Sequence, residues 1–164
     1  MTRRFGAVGH LVRRTLGSIS QAQPPIADLD WVRAQLTPAE WALWQRFGPA
    51  DRRHTIVVTR RTLELLDAPV PSAVVAGALL HDIGKVSSHL GVPARVAATV
   101  WRWVRGPAAA TTRGRMGDYL RHEPIGAALC RDAGSDPVTI ALVGRSLPET
   151  DVHLAALTAA DDSI

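Results

Sequence analysis

At 164 residues, with 46% hydrophobic and 21% charged residues, the chain is long enough for one buried core and has the composition of a globular domain, not of a disordered or fibrous one. A single cysteine, Cys130, excludes an intrachain disulfide framework and a Cys-x-x-Cys zinc site, and no apolar run reaches the ~18 residues of a membrane span. The net charge of +4 comes from arginines scattered as pairs, with no aromatic-and-basic motif beside them, so a small anionic molecule is the expected partner and no specific nucleic acid.

In chain order, residues 3–19 place Phe5, Val8, Val12, Leu16 and Ile19 on one face of a basic N-terminal helix. "QAQPPIAD" (21–28) reads as a linker, so 1–28 is expected to be an extension and 29–164 the helical domain. The amino terminus lacks the continuous apolar stretch of a signal peptide, which with the lone cysteine makes the cytoplasm the expected compartment. "TPAEW" (37–41) is a helix start: Thr37 can cap, Pro38 suits the first helical position, and Glu40 completes a capping box. That helix is expected to run to Phe47, before Gly48-Pro49.

A second helix spans about 51–67, and a third starts at Ser72 and stays apolar until His81-Asp82, with Gly84 placed to end it. A fourth covers about 92–104, and 105–117 reads as an exposed connection. Further helices are expected near 116–121, 123–133, 137–145 and 151–161. Alternating strand-like runs are scarce, so the expected fold class is all-α: one helical bundle with an N-terminal helical extension. Trp31, Trp41, Trp44, Trp101, Trp103 and Cys130 are expected to pack, while His10 and His89 have no ligand-like context.

"LLHDIGKVSS" (79–88) carries the chemistry, and it holds the chain's only lysine. A bare His-Asp pair carries no weight, since about 0.4 are expected by chance in this composition. His-Asp-x-Gly-Lys is expected about twice in ten thousand such chains. Neutral imidazole and carboxylate are ligands for a divalent metal. Adjacent helical residues diverge by ~100°, so His81 and Asp82 reach one ion only where the helix unwinds, a freedom Gly84 is read as supplying. His54, 27 residues before His81, can join them through one helical hairpin. Asp161 follows two alanines at the end of an apolar helix, where an ion can approach closely. Read singly, His54 is better taken as a surface histidine beside arginines, and Asp161 and Asp162 as a solvated tail.

Taken together, His54, His81-Asp82 and Asp161 resemble the H…HD…D signature of the HD superfamily of metal-dependent phosphohydrolases, and "HDIGK" matches its HDIG subgroup. The resemblance covers about residues 50–162. It implies that His54, His81, Asp82 and Asp161 hold a divalent cation (Mn, Fe, Co, Ni, Zn or Mg), which activates water against a phosphate ester of a nucleotide-like substrate. "YLRHEPIGAAL" (119–129) resembles the H-P-x-x-G segment of two-metal relatives, in which His122 would bind a second ion. The histidine pair those relatives carry next is absent from "ALVGRSLPETD" (141–151), which offers Arg145 and Ser146. One tightly held metal is therefore expected, with His122 on a weaker ion or on the substrate phosphate. Asp82 and Lys85 are the expected catalytic residues, Lys85 as a cation for the phosphoryl group. Arg53 and Arg121, beside His54 and His122, are further candidates for binding substrate. The alternative is a degenerate HD module that binds metal or nucleotide as a regulator; a homodimer is left open.

Overall fold

The computed structural model describes residues 22–164 apart from 68, 89, 91 and 107–110. The expected helix over 3–19, His10 and His89 lie outside the described residues. The described chain is all-helical, with no strand, and no helix in it is long and apolar enough to cross a membrane.

The first helix, α1 (Ile26–Gln35), follows Pro24-Pro25 and begins inside the expected linker. Its only fully buried residue is Val32, so the sequence displays no continuous apolar stripe there. In α2 (Pro38–Trp44), Thr37 Oγ1 accepts from the Glu40 amide at 3.3 Å and Glu40 Oε2 accepts from the Thr37 amide at 3.0 Å. This reciprocal cap contributes about 1 kcal/mol. The helix ends at Trp44, three residues short of Phe47, and a turn leads to Pro49. Pro49 opens α3 (Pro49–Leu66), two residues earlier than expected, because its fixed φ suits the first helical position.

The central element is α4 (Ser72–Leu80), buried at every residue from Val74 to Leu80 and packed against α1, α2, α3 and α8 (Pro137–Val143). A helix that is apolar on all sides belongs in the interior. The sequence predicts that Gly84 ends this helix; instead, α4 stops at Leu80, His81 and Asp82 form a turn, and a 3-10 helix runs over Ile83–Ser88. Gly84 is required for space, not for conformational freedom. A Cβ there would lie 1.8 Å from the His122 carbonyl oxygen.

The chain continues through α5 (Val92–Arg105), α6 (Gly114–Leu120), α7 (His122–Asp132), α8 and α9 (Val152–Ser163). Asp136 caps α8 and Asp151 caps α9 by accepting from amides two and three residues ahead. Because α6 begins at Gly114, the expected connection over 105–117 is shorter than its composition suggests.

Two apolar clusters hold the bundle. One gathers Val32, Trp44, Phe47, Leu79, Leu80, Ile83 and Cys130; the other gathers Val58, Val74, Leu142, Leu154 and Leu157. Each large side chain buried in this way contributes about 1.5–3 kcal/mol. Trp41 and Trp44 stack at 5.3 Å, whereas Trp101 stands at the surface and donates to Thr112 Oγ1 at 3.1 Å. The Cys130 thiol is pushed up to about 12, by burial and then by the nearby Glu40 charge, as suits a packing residue.

Candidate metal centre

Four helix ends converge on one point. His54 sits near the start of α3, next to Thr55, whose Oγ1 accepts from Trp44 Nε1 at 3.1 Å and so ties α2 to α3. The turn after α4 supplies His81 and Asp82, the penultimate turn of the chain supplies Asp161, and the first residue of α7 supplies His122. The antiparallel packing of α3 and α9 brings His54, near the start of one, against Asp161, near the end of the other.

His54 Nε2 lies 3.2 Å from Asp161 Oδ1 and 3.9 Å from Asp82 Oδ2. His81 Nε2 lies 3.6 Å from Asp82 Oδ2 and 4.0 Å from Asp161 Oδ1. The ligand atoms of His54, His81 and Asp82 all lie within 4.8 Å of one another. Lys85 Nζ reaches Asp82 Oδ2 at 2.5 Å, and His122 Nε2 stands 3.6 Å from Asp82 Oδ1.

The ring orientations are set from behind. His81 Nδ1 donates to the Ala78 carbonyl at 2.8 Å and His122 Nδ1 to the Tyr119 carbonyl at 2.9 Å. With the proton on Nδ1, each neutral ring turns an Nε2 lone pair inward. For His81 that lone pair faces carboxylate oxygens, which are acceptors too, and such a pairing is unfavourable unless a cation lies between them. The Nε2 atoms of His54 and His81 are both buried and have no hydrogen-bond partner. Buried polar atoms are seldom left this way, and two nitrogens with two carboxylates suit a divalent transition metal. The residues present therefore fit a metal ion.

Protonation favours the same role. Burial, opposed only in part by Asp82 and Asp161, holds His81 below its ordinary 6.5. His122 is held low by burial and then by Lys85. Burial alone would raise Asp82, but Lys85, His81, His122 and His54 together carry it well below its ordinary 3.8. Burial would lower Lys85, and the Asp82 charge overrides this to keep it above 10.5. Neutral imidazoles, an ionised carboxylate and a charged ammonium are the forms a metal-phosphate site uses.

Of the residues singled out in the sequence, His54, His81, Asp82, Lys85, His122 and Asp161 come together. Arg53 and Arg121 direct guanidinium nitrogens elsewhere: Arg53 to the Ala22 carbonyl, Arg121 to the Thr112 carbonyl at 2.8 Å and to Asp118 at 3.1 Å. Sequence reasoning missed Arg145 as a member of the site. Its Nε lies 3.3 Å from Glu123 Oε1 and its NH2 3.7 Å from Asp161 Oδ2. The signal was its place in the segment searched for histidines, but an arginine pair through space leaves no local pattern. Comparison with family models, curated proteins and solved structures finds no match for this chain.

Proposed function

We propose that this chain is a metal-dependent phosphohydrolase of the HD type, cleaving a phosphate ester of a nucleotide-like substrate. The observation that carries the reading is the pair of buried Nε2 atoms, on His54 and His81, left without hydrogen bonds beside the carboxylates of Asp82 and Asp161. The order of these residues along the chain, and Lys85 three places after Asp82, support it through the HD resemblance. His54, His81, Asp82 and Asp161 are the proposed ligands. A divalent cation held there would lower the pKa of a water and offset phosphate charge.

The chain's own residues supply the rest. Lys85 anchors Asp82 and presents an ammonium to a phosphoryl oxygen, where charge builds as the ester bond breaks. His122 turns its free nitrogen toward the same space, on the opposite oxygen of Asp82, and contacts either the phosphate or a second, weaker ion. The nucleotide-like character of the substrate rests on the resemblance alone. The competing reading, a regulator that binds metal without turnover, draws on Arg145 standing where two-metal relatives carry histidines.

Metal analysis of the purified protein, with a screen of phosphate esters, tests the proposal. About one divalent ion per chain is expected, with metal and hydrolysis lost together in Asp82→Ala. A fully metallated wild type that hydrolyses no phosphate ester would refute the enzyme and favour the regulator.

A further inference from the structure

Arg145 occupies the turn between α8 and α9 with φ at 48°, in the left-handed region that long side chains rarely adopt. Such a position persists only where its surroundings hold it. Here three side chains do so: Glu123 on α7 at Nε, Thr158 on α9, which accepts from NH1 at 2.8 Å, and Asp161 near NH2. The guanidinium is thus fixed at the rim of the candidate centre while 29% of the side chain stays open to solvent.

Asp161 divides its oxygens between two tasks. Oδ1 faces His54 and His81, and Oδ2 faces Arg145. At 3.7 Å the contact with Arg145 exceeds hydrogen-bond length, so the donors of NH2 are not spent on that carboxylate. Across the centre Lys85 stands beside Asp82, on the Oδ2 that also faces His54 and His81. A phosphate held over the four proposed ligands would therefore meet a fixed cation on each carboxylate.

We propose that Arg145 is a substrate-binding residue which, with Lys85, selects a phosphomonoester over a phosphodiester. This rests on the phosphohydrolase reading and deepens it. A monoester presents three terminal oxygens and a charge of about −1.5 to −2 near neutral pH. A divalent ion, an ammonium and a planar guanidinium fork match those three oxygens one for one. A diester has two such oxygens and a single charge, so it leaves one of the three partners unmatched. In the reaction the water oxygen bonds to phosphorus and the ester P–O bond breaks. One water proton leaves with the alcohol, and the remaining hydroxyl stays on the phosphate.

The test compares wild type, Arg145→Gly and Arg145→Lys, each loaded with metal. Calorimetric titration with inorganic phosphate and with dimethyl phosphate reads binding; hydrolysis of p-nitrophenyl phosphate and bis-p-nitrophenyl phosphate reads selectivity. Arg145→Gly should weaken inorganic phosphate by roughly 10- to 100-fold, the scale of a charge-assisted hydrogen bond, and dimethyl phosphate by much less. Arg145→Lys should recover part of the loss. Glycine accepts the left-handed backbone, so Arg145→Gly should stay folded and keep its metal content even with the Glu123, Thr158 and Asp161 contacts gone, and a cooperative unfolding transition with metal bound separates lost binding from lost folding. Unchanged phosphate affinity, an equal loss for both ligands, or a wild type that prefers the diester would overturn the assignment. A wild type that cleaves neither these two esters nor any other in the screen refutes the proposed function instead, and the phosphate affinities then decide the role of Arg145 by themselves.

Discussion

Replacing Gly84 with alanine adds one methyl group where two backbones touch. The new Cβ would lie 1.8 Å from the His122 carbonyl oxygen, 2.7 Å from its carbon and 2.8 Å from the Gly126 amide nitrogen. None of these atoms can rotate away, so α7 must separate from the 3-10 helix by more than about 1 Å to restore ordinary contact. The contact is tight from both partners, because a Cβ on Gly126 would itself lie 3.2 Å from the Gly84 amide nitrogen and 2.8 Å from the Val143 side chain. Overpacking typically costs about 1–3 kcal/mol, and an obstacle made of backbone atoms, which cannot rotate away, puts Gly84→Ala at about 3 kcal/mol. Urea unfolding of the metal-free protein measures this. The same displacement carries His122 away from Asp82 Oδ1, now 3.6 Å from its Nε2. A misplacement of about 1 Å can cost on the order of 100-fold in rate. The folded fraction of Gly84→Ala should therefore keep the ion on His54, His81, Asp82 and Asp161 but hydrolyse phosphate esters about 100-fold more slowly. Unfolding free energy within about 0.5 kcal/mol of wild type would show that the close approach at Gly84 is not a constraint, and would refute the reasoning.

Lys85→Ala should retain metal, since the ammonium is not a ligand, and lose roughly two to three orders of magnitude in turnover; loss of the ion along with the lysine would make Lys85 part of the scaffold that holds Asp82. The stability of the metal-free protein should fall as pH drops below about 6.5, because His81 and His122 both have depressed pKa values when folded and so take up protons more readily in the unfolded chain. The slope is at most about 1.4 kcal/mol per pH unit for each histidine, and unfolding midpoints at pH 7.5 and 5.5, in wild type and in His122→Gln, check it; a flat profile would contradict the buried neutral rings. The Asp82 contribution, from a carboxylate held well below 3.8, is present throughout that window and is lost only in stronger acid. Thr55→Val leaves the buried Trp44 indole N–H without its acceptor and should cost about 1–3 kcal/mol in thermal or urea unfolding.

The all-helical class was legible because the apolar run over Ser72–Leu80, the capping box at Thr37 and the Pro-led starts are local signals, each read within a few residues. The helix at Ile26–Gln35 was not, because it buries little and so shows no stripe. Within the site, His81, Asp82 and Lys85 came from one motif, His54 and Asp161 from their placement on helices together with the order the HD resemblance supplies, and His122 from the resemblance alone. Gly84 was misread: composition cannot distinguish a glycine needed for its backbone freedom from one needed because α7 passes within contact distance. Arg145 escaped for a related reason. Its partners, Glu123, Thr158 and Asp161, lie on two other helices, and its left-handed φ at a residue other than glycine has no signature in a single sequence.

The two carboxylates explain how such a site can exist before any ion arrives. A buried carboxylate without a counter-charge is costly, and two of them facing the same histidines would repel. Asp82 is compensated by Lys85, one helical turn away, and Asp161 by Arg145, from the preceding turn of chain. Arg145 meets the Asp161 oxygen turned away from the histidines, whereas Lys85 shares Asp82 Oδ2 with the His54 and His81 nitrogens, neither of which has a hydrogen-bond partner. The bundle's two apolar clusters lie outside this network, which allows the core to be assembled without a metal. On the proposed reading, the basic groups that make the two carboxylates tolerable are also those a phosphate would contact, so compensation of the carboxylates and recognition of an anionic substrate would fall to the same two side chains. That economy favours a small, strongly charged phosphate over a neutral or weakly charged ligand at this end of the bundle.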